Sequence, residues 1–310
     1  MNKQLLLSEF LTTPWALMPE RLQAMSGILT RWSAGEPPSD ETLFQVNTDR
    51  VLRDSRKQMA AASAGSGIAV LPLYGVVTQR GNMVDDISGP GSTSTQQFSA
   101  VLRQMLADDT VGQILIDIDS PGGSVYGVAE LASEIVKARA QKPVIAVANS
   151  LAASAAYWLG CSASEFYVTP GGEVGSIGVW QAHFDYSKAL EEDGVKPTLI
   201  SAGKFKVEGN PYQPLSEEAR AFMQKRCDEY YGSFVRAVAR GRGVGVDVVR
   251  ENMGQGRVLG AADCKACGMV DDVMPFADVV RKMQREARPA AGRRASLHAA
   301  QFEIDAARAA

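Results

Sequence analysis

Between residues 68 and 201 short apolar runs alternate with segments of helical period, and this alternation restricts the chain to an α/β architecture. Residues 68–77 (IAVLPLYGVV) read as a first strand, and 95–107 as a helix with Phe98, Leu102 and Leu106 on one face. Residues 113–118 are almost continuously apolar, as a strand covered on both faces requires. A helix over 124–139 turns Val128, Leu131, Ile135 and Val136 inward, and 143–148 (PVIAVA) reads as another buried strand. Strands at 165–169 and 176–180, a helix at 186–193 and a strand at 197–201 continue the pattern. Short loops between such units imply right-handed crossovers and a mainly parallel sheet. Loops that follow the carboxyl ends of the strands then gather at one edge, where open α/β sheets hold their ligands.

Two loops at that edge carry chemistry. The strand at 143–148 runs through Asn149-Ser150-Leu151-Ala152-Ala153 into Ser154, and Ala155-Ala156-Tyr157-Trp158 opens a helix of small residues. A serine at such a turn can attack a carbonyl, with helix N-terminal amides beside it to receive negative charge. The strand at 113–118 runs into Ser120-Pro121-Gly122-Gly123-Ser124, whose glycines admit positive φ and close approach of a substrate. Alone, Pro-Gly-Gly signals a tight turn; beside Ser154 it becomes a source of N–H groups for an oxyanion. A serine hydroxyl also needs a base, and Ser201-Ala202-Gly203-Lys204-Phe205-Lys206 offers two lysines, which alternation puts on one face. Lysine serves only when neutral, so its pKa must fall from about 10.4 to roughly 7 or 8 by loss of hydration. Phe205 and Val207 are apolar neighbours able to cause that loss at Lys206.

The two histidines, His183 and His298, lie in no strong motif context for a Ser-His-Asp triad. They also lack the spacing to complete a metal site with Cys264-x-x-Cys267, so no metal or cofactor is expected. The four cysteines read as buried or surface thiols, with a redox or metal role as the alternative. Gly241-x-Gly243-x-Gly245 follows a helix rather than a strand and is not read as a nucleotide loop.

A hydrophobic content of 45% over 310 residues allows one large domain with extensions or two smaller ones. A formal charge of -3 gives no field for nucleic acid or an acidic membrane, so neither is expected as a partner. The apolar run near Met1 is too short for a signal segment and nothing approaches a membrane span, which reads as a soluble, cytoplasmic protein. Residues 1–65 read as a helical extension and linker, 66–275 as the catalytic domain, and 276–310 as a mobile Ala/Arg-rich tail. A long helix over 216–240 has Ser216 as N-cap and Glu217-Glu218 in its first turn. Its stripe of Phe222, Tyr230, Phe234 and Val238 suits burial on its own sheet and an oligomer interface equally.

The three segments, in this order, resemble the signal peptide peptidase A family of serine peptidases and, more closely, its phage relatives that mature viral heads. The resemblance spans about residues 68–273. It implies a ClpP/crotonase-like fold of repeated β-β-α units with a mainly parallel sheet, plus helical N- and C-terminal extensions. It puts the nucleophile on Ser154 and the general base on Lys206, whose Gly-x-x-Lys spacing from Gly203 favours it over Lys204. The oxyanion donors fall on the N–H groups of Gly123 and Ala155, and the substrate loops on Gly122 and Gly178. Ser176, in Gly-Ser-Ile-Gly-Val, falls on a serine that orients the lysine amine; the alternative is a simple turn serine. Where that family usually has Gly-Gly after the nucleophile, this chain has Ala155-Ala156, which keep the N–H groups and the small volume. The implied activity is ATP-independent endopeptidase action through an acyl-enzyme in a homo-oligomer. Its substrates would be scaffold, portal or coat proteins, and the chain itself, inside an immature phage head in the host cytoplasm. The alternatives are a cytoplasmic signal-peptide-degrading peptidase, a crotonase-like acyl-CoA enzyme, and a non-catalytic capsid assembly factor.

Overall fold

The alternation resolves into a mixed α/β structure in a computed structural model that describes residues 13–19, 23, 25–27, 30, 31, 67–80 and 92–287. The first elements are β1 (Trp15–Leu17), β2 (Ile68–Tyr74), β3 (Val76–Thr78), β4 (Ser92–Ser94) and α1 (Thr95–Ala107). Then come β5 (Gln113–Ser120), β6 (Gly122–Ser124), α2 (Val128–Ala138), β7 (Val144–Ala153), α3 (Ala155–Gly160), β8 (Glu165–Val168) and β9 (Glu173–Gly175). The chain continues through α4 (Ser187–Glu192), α5 (Glu217–Arg242), α6 (Val246–Asn252), β10 (Val258–Gly260), α7 (Ala261–Ala266), β11 (Asp272–Val273) and α8 (Phe276–Ala287).

In the larger sheet β2, β5 and β7 pair in parallel, and β7 continues in parallel to β8 with its first half and to β9 with its second. β11 joins β8 in parallel, and only β10, on β9, is antiparallel. In the smaller sheet β3 lies parallel between β4 and β6, and β1 covers the other side of β6 in antiparallel register. The two-residue period of β5 explains why its run is apolar throughout. Ile114, Ile116 and Ile118 pack in the cluster that includes Phe98 of α1, Leu131 of α2 and Phe234 of α5. Leu115, between them, packs in a second cluster with Val279 and Met283 of α8.

The helix starts follow their caps. Ser94 Oγ accepts the Gln97 N–H ahead of α1, and Ser216 Oγ accepts the Ala219 N–H ahead of α5. The stripe of α5 is buried on the core over the second half of the helix only. Phe234 and Val238 are buried in the main core, with Phe234 stacked on Trp158 at 4.8 Å, whereas Phe222 is exposed.

Five expectations are corrected. Residues 276–287, expected within a mobile tail, form α8, whose Val279 and Met283 are fully buried on the sheet; residues 288–310 lie outside the described residues. Trp15–Leu17, expected within a helical extension, are a strand buried against β6. β7 runs five residues past Ala148 because β9 offers its second half a parallel partner. The strand expected at 197–201 does not form: the segment finds no neighbouring strand, and Ile200 is 94% exposed. At 176–180 only Trp180 pairs, in an isolated bridge to Trp15.

Arg242 ties the end of α5 to the sheet. Its guanidinium donates to both carboxylate oxygens of Asp271, at 3.0 and 2.9 Å, and to the Gly268 carbonyl at 3.0 Å. Asp271 also accepts the Phe166 N–H of β8 at 2.6 Å. Burial pushes the Asp271 carboxyl up, but the Arg242 guanidinium and the Phe166 amide outweigh it and hold the group below its usual range. Arg242→Ala is expected to lower unfolding stability by about 2–3 kcal/mol near neutral pH, measured by urea denaturation. A depressed carboxylate stabilises above its unfolded value of about 3.9 and stops doing so as the pH falls through the folded value. The gap between wild type and variant is therefore expected to close below about pH 4, and an undiminished gap there would refute the assignment.

Candidate active site

Ser154 stands where β7 gives way to α3, in a conformation that serine rarely adopts: φ 54° and ψ −118°. Such a backbone costs on the order of 1–3 kcal/mol and persists only where neighbours impose it. Two bonds do so here. The Ser154 N–H donates to the Gly175 carbonyl at 2.7 Å, and the Ser154 carbonyl accepts the Trp158 N–H at 3.0 Å. Its Oγ donates to the Gly178 carbonyl at 3.5 Å, a long contact that leaves the hydroxyl weakly engaged. Ala155 and Ala156 open α3 and are fully buried, and the first N–H groups of a helix have no acceptor within it.

The Gly122-Gly123 turn packs directly on this serine. Gly122 has φ +98°, and a Cβ placed there would lie 2.9 Å from Ser154 Cβ and 3.0 Å from the Ala153 carbonyl oxygen. At Gly123 a Cβ would overlap the Val77 carbonyl oxygen. Ser120 pins the turn: its Oγ donates to the Gly75 carbonyl at 2.6 Å and accepts the Gly122 N–H at 3.2 Å. Sequence reasoning gave Ser120 no role, although a serine two residues before a glycine N–H is a known local turn former.

Ser176 is also a non-glycine at positive φ, 55°, and its N–H donates to the Arg257 carbonyl at 2.8 Å. It follows Gly175, whose carbonyl holds Ser154, so Ser154, Ser176 and Gly178 are joined to one segment. Lys206 is not brought into hydrogen-bond contact with Ser154 within the chain. It lies on an exposed turn, its N–H donating to the Gly203 carbonyl at 3.2 Å. Phe205 is itself 51% exposed, so the dehydration expected of it is not supplied by one chain alone. Lys204 is engaged elsewhere, 3.0 Å from Glu218 in an exposed pair and over the Phe205 ring.

The cysteines stand apart from this site. Burial pushes the Cys161 thiol up to about 12 and the Cys264 thiol to about 11, and Cys264 Sγ donates to the Leu259 carbonyl at 3.0 Å. Both are therefore protonated and unreactive near neutral pH. Among the described residues no three His, Cys, Asp or Glu side chains gather to hold a metal, and no helix is long and apolar enough to cross a membrane.

β1 is the part of the site that sequence reasoning missed. It lies on β6 with Trp15 opposite Ser124, Ala16 opposite Gly123 and Leu17 opposite Gly122. On its other side Trp15 exchanges backbone bonds with Trp180, at 3.0 and 3.1 Å, and Trp180 Nε1 donates to the Leu17 carbonyl at 2.9 Å. The available signal was the four-residue apolar run Trp15-Ala16-Leu17-Met18 bounded by Pro14 and Pro19, which is too short to read as a strand without its partners.

The chain is 35% identical over 245 residues to capsid assembly protease C of Escherichia phage lambda, an alignment covering 77% of this chain and 55% of that protein. It is 35% identical over 238 residues to head-tail preconnector protein GP5 of Enterobacteria phage P21, covering 77% and 47%. A putative signal peptide peptidase SppA of Enterococcus faecium is 26% identical over 257 residues, covering 81% of this chain and 73% of that protein. The chain thus spans about half the length of the two phage relatives. Residues 136–289, which include Ser154, Ser176, Gly178 and Lys206, match Peptidase family S49, so the chain carries a domain of that family.

Proposed function

We propose that the chain is a serine endopeptidase that works through an acyl-enzyme on Ser154 and matures a phage head. The observation that carries this reading is the strained Ser154 packed on the Gly122-Gly123 turn. In this mechanism Ser154 Oγ adds to the carbonyl carbon of an extended peptide while a neutral Lys206 amine takes the hydroxyl proton. The carbonyl oxygen becomes an oxyanion received by the Gly123 and Ala155 N–H groups. Collapse breaks the C–N bond, the leaving amine takes its proton from the Lys206 ammonium, and water then hydrolyses the ester. Ser176 orients the lysine, and Gly122 and Gly178 border the peptide. A ClpP/crotonase-like fold accommodates this arrangement at the carboxyl edge of its parallel strands.

Because Lys206 is exposed and makes no bond to Ser154, the base reaches the nucleophile in an assembly in which a second copy delivers it. The exposed apolar side chains of Val195, Ile200, Phe205 and Phe222 favour such a homo-oligomer, since each gains by being covered. The substrates are proteins of the immature head in the host cytoplasm, a reading supported by the capsid assembly protease name of the lambda relative.

The test is the intact mass of casein over time. Wild type is expected to trim it, and Ser154→Ala and Lys206→Ala to leave it whole. Coexpressed at equal levels, the two variants are expected to recover about a quarter of wild-type activity, because one site in four then pairs an intact serine with an intact lysine from its neighbour. Recovery of nothing would put both groups in one chain, and casein left whole by wild type would refute the peptidase reading.

A further inference from the structure

Ser154 is 1% exposed, and Gly122, Gly123 and Ala155 are buried with it. A nucleophile for external peptides cannot work sealed, and β1 lies along the glycine turn that packs on it. The register shows how. Antiparallel ladders alternate bonded and unbonded pairs. The Val125 N–H donates to the Pro14 carbonyl at 3.4 Å and the Met18 N–H to the Pro121 carbonyl at 3.2 Å, so both flanking pairs are bonded. The pair midway between them, Ala16 with Gly123, is therefore bonded too, and the Ala16 carbonyl sits on the Gly123 N–H. That N–H is the one proposed to receive the oxyanion. A Cβ on Gly122 would collide with the Ala16 carbonyl oxygen on one side while lying 2.9 Å from Ser154 Cβ on the other, so the carbonyl and the nucleophile flank a single glycine.

The opposite edge of β1 is held in the same manner. Trp15 bonds through its backbone to Trp180 in both directions, two residues beyond the Gly178 carbonyl that accepts from Ser154 Oγ. Pro14 to Met18 thus run as an extended strand between the two walls of a cleft, bonded to each by main chain. Main-chain bonding on both edges is how a cleft takes an extended peptide of varied sequence, leaving the side-chain pockets to select. Ala16 is fully buried and faces the main core, whereas Trp15 packs with Leu17, Met25, Val76 and Trp180 on the other face.

We infer that Pro14–Met18 is a substrate-mimicking strand held by the chain in its own peptide cleft, with Ala16–Leu17 in the place of the bond to be cut. It follows that an external substrate binds only when this strand leaves, and that the preferred substrates are extended peptides with a small residue before the cut. The inference rests on the peptidase reading for the meaning of the cleft, but its test does not use hydrolysis.

The test uses the full chain carrying Ser154→Ala, which is silent in catalysis and keeps its Cβ in the cleft. The ligand is a fluorescein-labelled hexapeptide, Thr-Pro-Trp-Ala-Leu-Met, followed by anisotropy. Adding Ala16→Arg places a long cationic side chain where none fits and is expected to expel β1. The doubly substituted protein is expected to bind the peptide at least about tenfold more tightly than Ser154→Ala alone, where the tethered strand competes at an effective concentration on the order of millimolar. Equal affinity for the two proteins, or no binding by either, overturns the inference. If circular dichroism shows Ala16→Arg to be unfolded, Trp15→Gly takes its place with the same expectation, since it removes the side chain that anchors β1 in its pocket. A peptidase that does not occupy its own cleft would trim casein yet fail this test, and a self-occupied fold that is no peptidase would do the reverse.

Discussion

Ser154→Ala is expected to lower peptide hydrolysis by about 10⁴-fold or more, with unfolding stability changed by less than about 1 kcal/mol. The large effect follows from deleting the atom that the proposed mechanism uses to form the acyl bond. The small one follows from the geometry, because the hydroxyl's bond to the Gly178 carbonyl, its only one among the described residues, is 3.5 Å long. Intact mass after treatment with a fluorophosphonate measures the first effect: wild type gains one adduct, and the variant gains none. Ser154→Gly separates chemistry from strain. It is equally inactive, yet glycine accepts φ 54° and ψ −118° without a Cβ penalty, so it is expected to be about 1 kcal/mol more stable than Ser154→Ala. An order reversed in thermal melts would mean that the Ser154 conformation is not strained. An alanine variant that still labels would put the nucleophile elsewhere.

What the sequence made legible was local. The alternation of Ile114, Leu115 and Ile116 between two faces follows from the strand period alone, and it predicted a strand covered by helices on both sides. The bounds of α1 could be read because Ser94 caps one end and the apolar face ends with the helix. Ser154 stands out as the candidate nucleophile because an apolar strand and a run of small helical residues meet at it. Long-range contacts were not legible. Nothing within Trp15-Ala16-Leu17 says that β6 and Trp180 wait to pair with it, since a strand of three residues gains its bonds only from distant partners. The expectation of a mobile tail over α8 comes from a chain rich in Arg and Ala beyond Val273, while Val279 and Met283 at helical spacing are enough to dock the helix. Phe205 beside Lys206 suggested dehydration, but adjacency in sequence does not bury either residue, and Phe205 itself stays 51% exposed.

Gly123→Ala is expected to slow acylation by about 10²-fold or more and to destabilise the fold by about 3 kcal/mol. A Cβ at this position would overlap the Val77 carbonyl oxygen and come within 2.6 Å of the Val77 nitrogen. These are backbone atoms of β3, which is held between β4 and β6 and cannot give way as a flexible side chain would. The strain must therefore move β6, and with it the Gly123 N–H that is to receive the oxyanion. A displacement of a few tenths of an ångström suffices, because a donor stabilises an oxyanion only at about 2.7–3.1 Å from where that oxygen forms. Gly171→Ala is the control. A Cβ there meets nothing within 4 Å, so wild-type rates and melting are expected. The same shift loosens β1, whose Ala16 carbonyl is bonded to Gly123, so a labelled peptide should enter the cleft of Gly123→Ala more readily even as acylation falls. Opposite changes in binding and in chemistry are what a displaced oxyanion donor predicts, whereas unchanged acylation in a destabilised protein would remove Gly123 from the mechanism and leave it a packing residue.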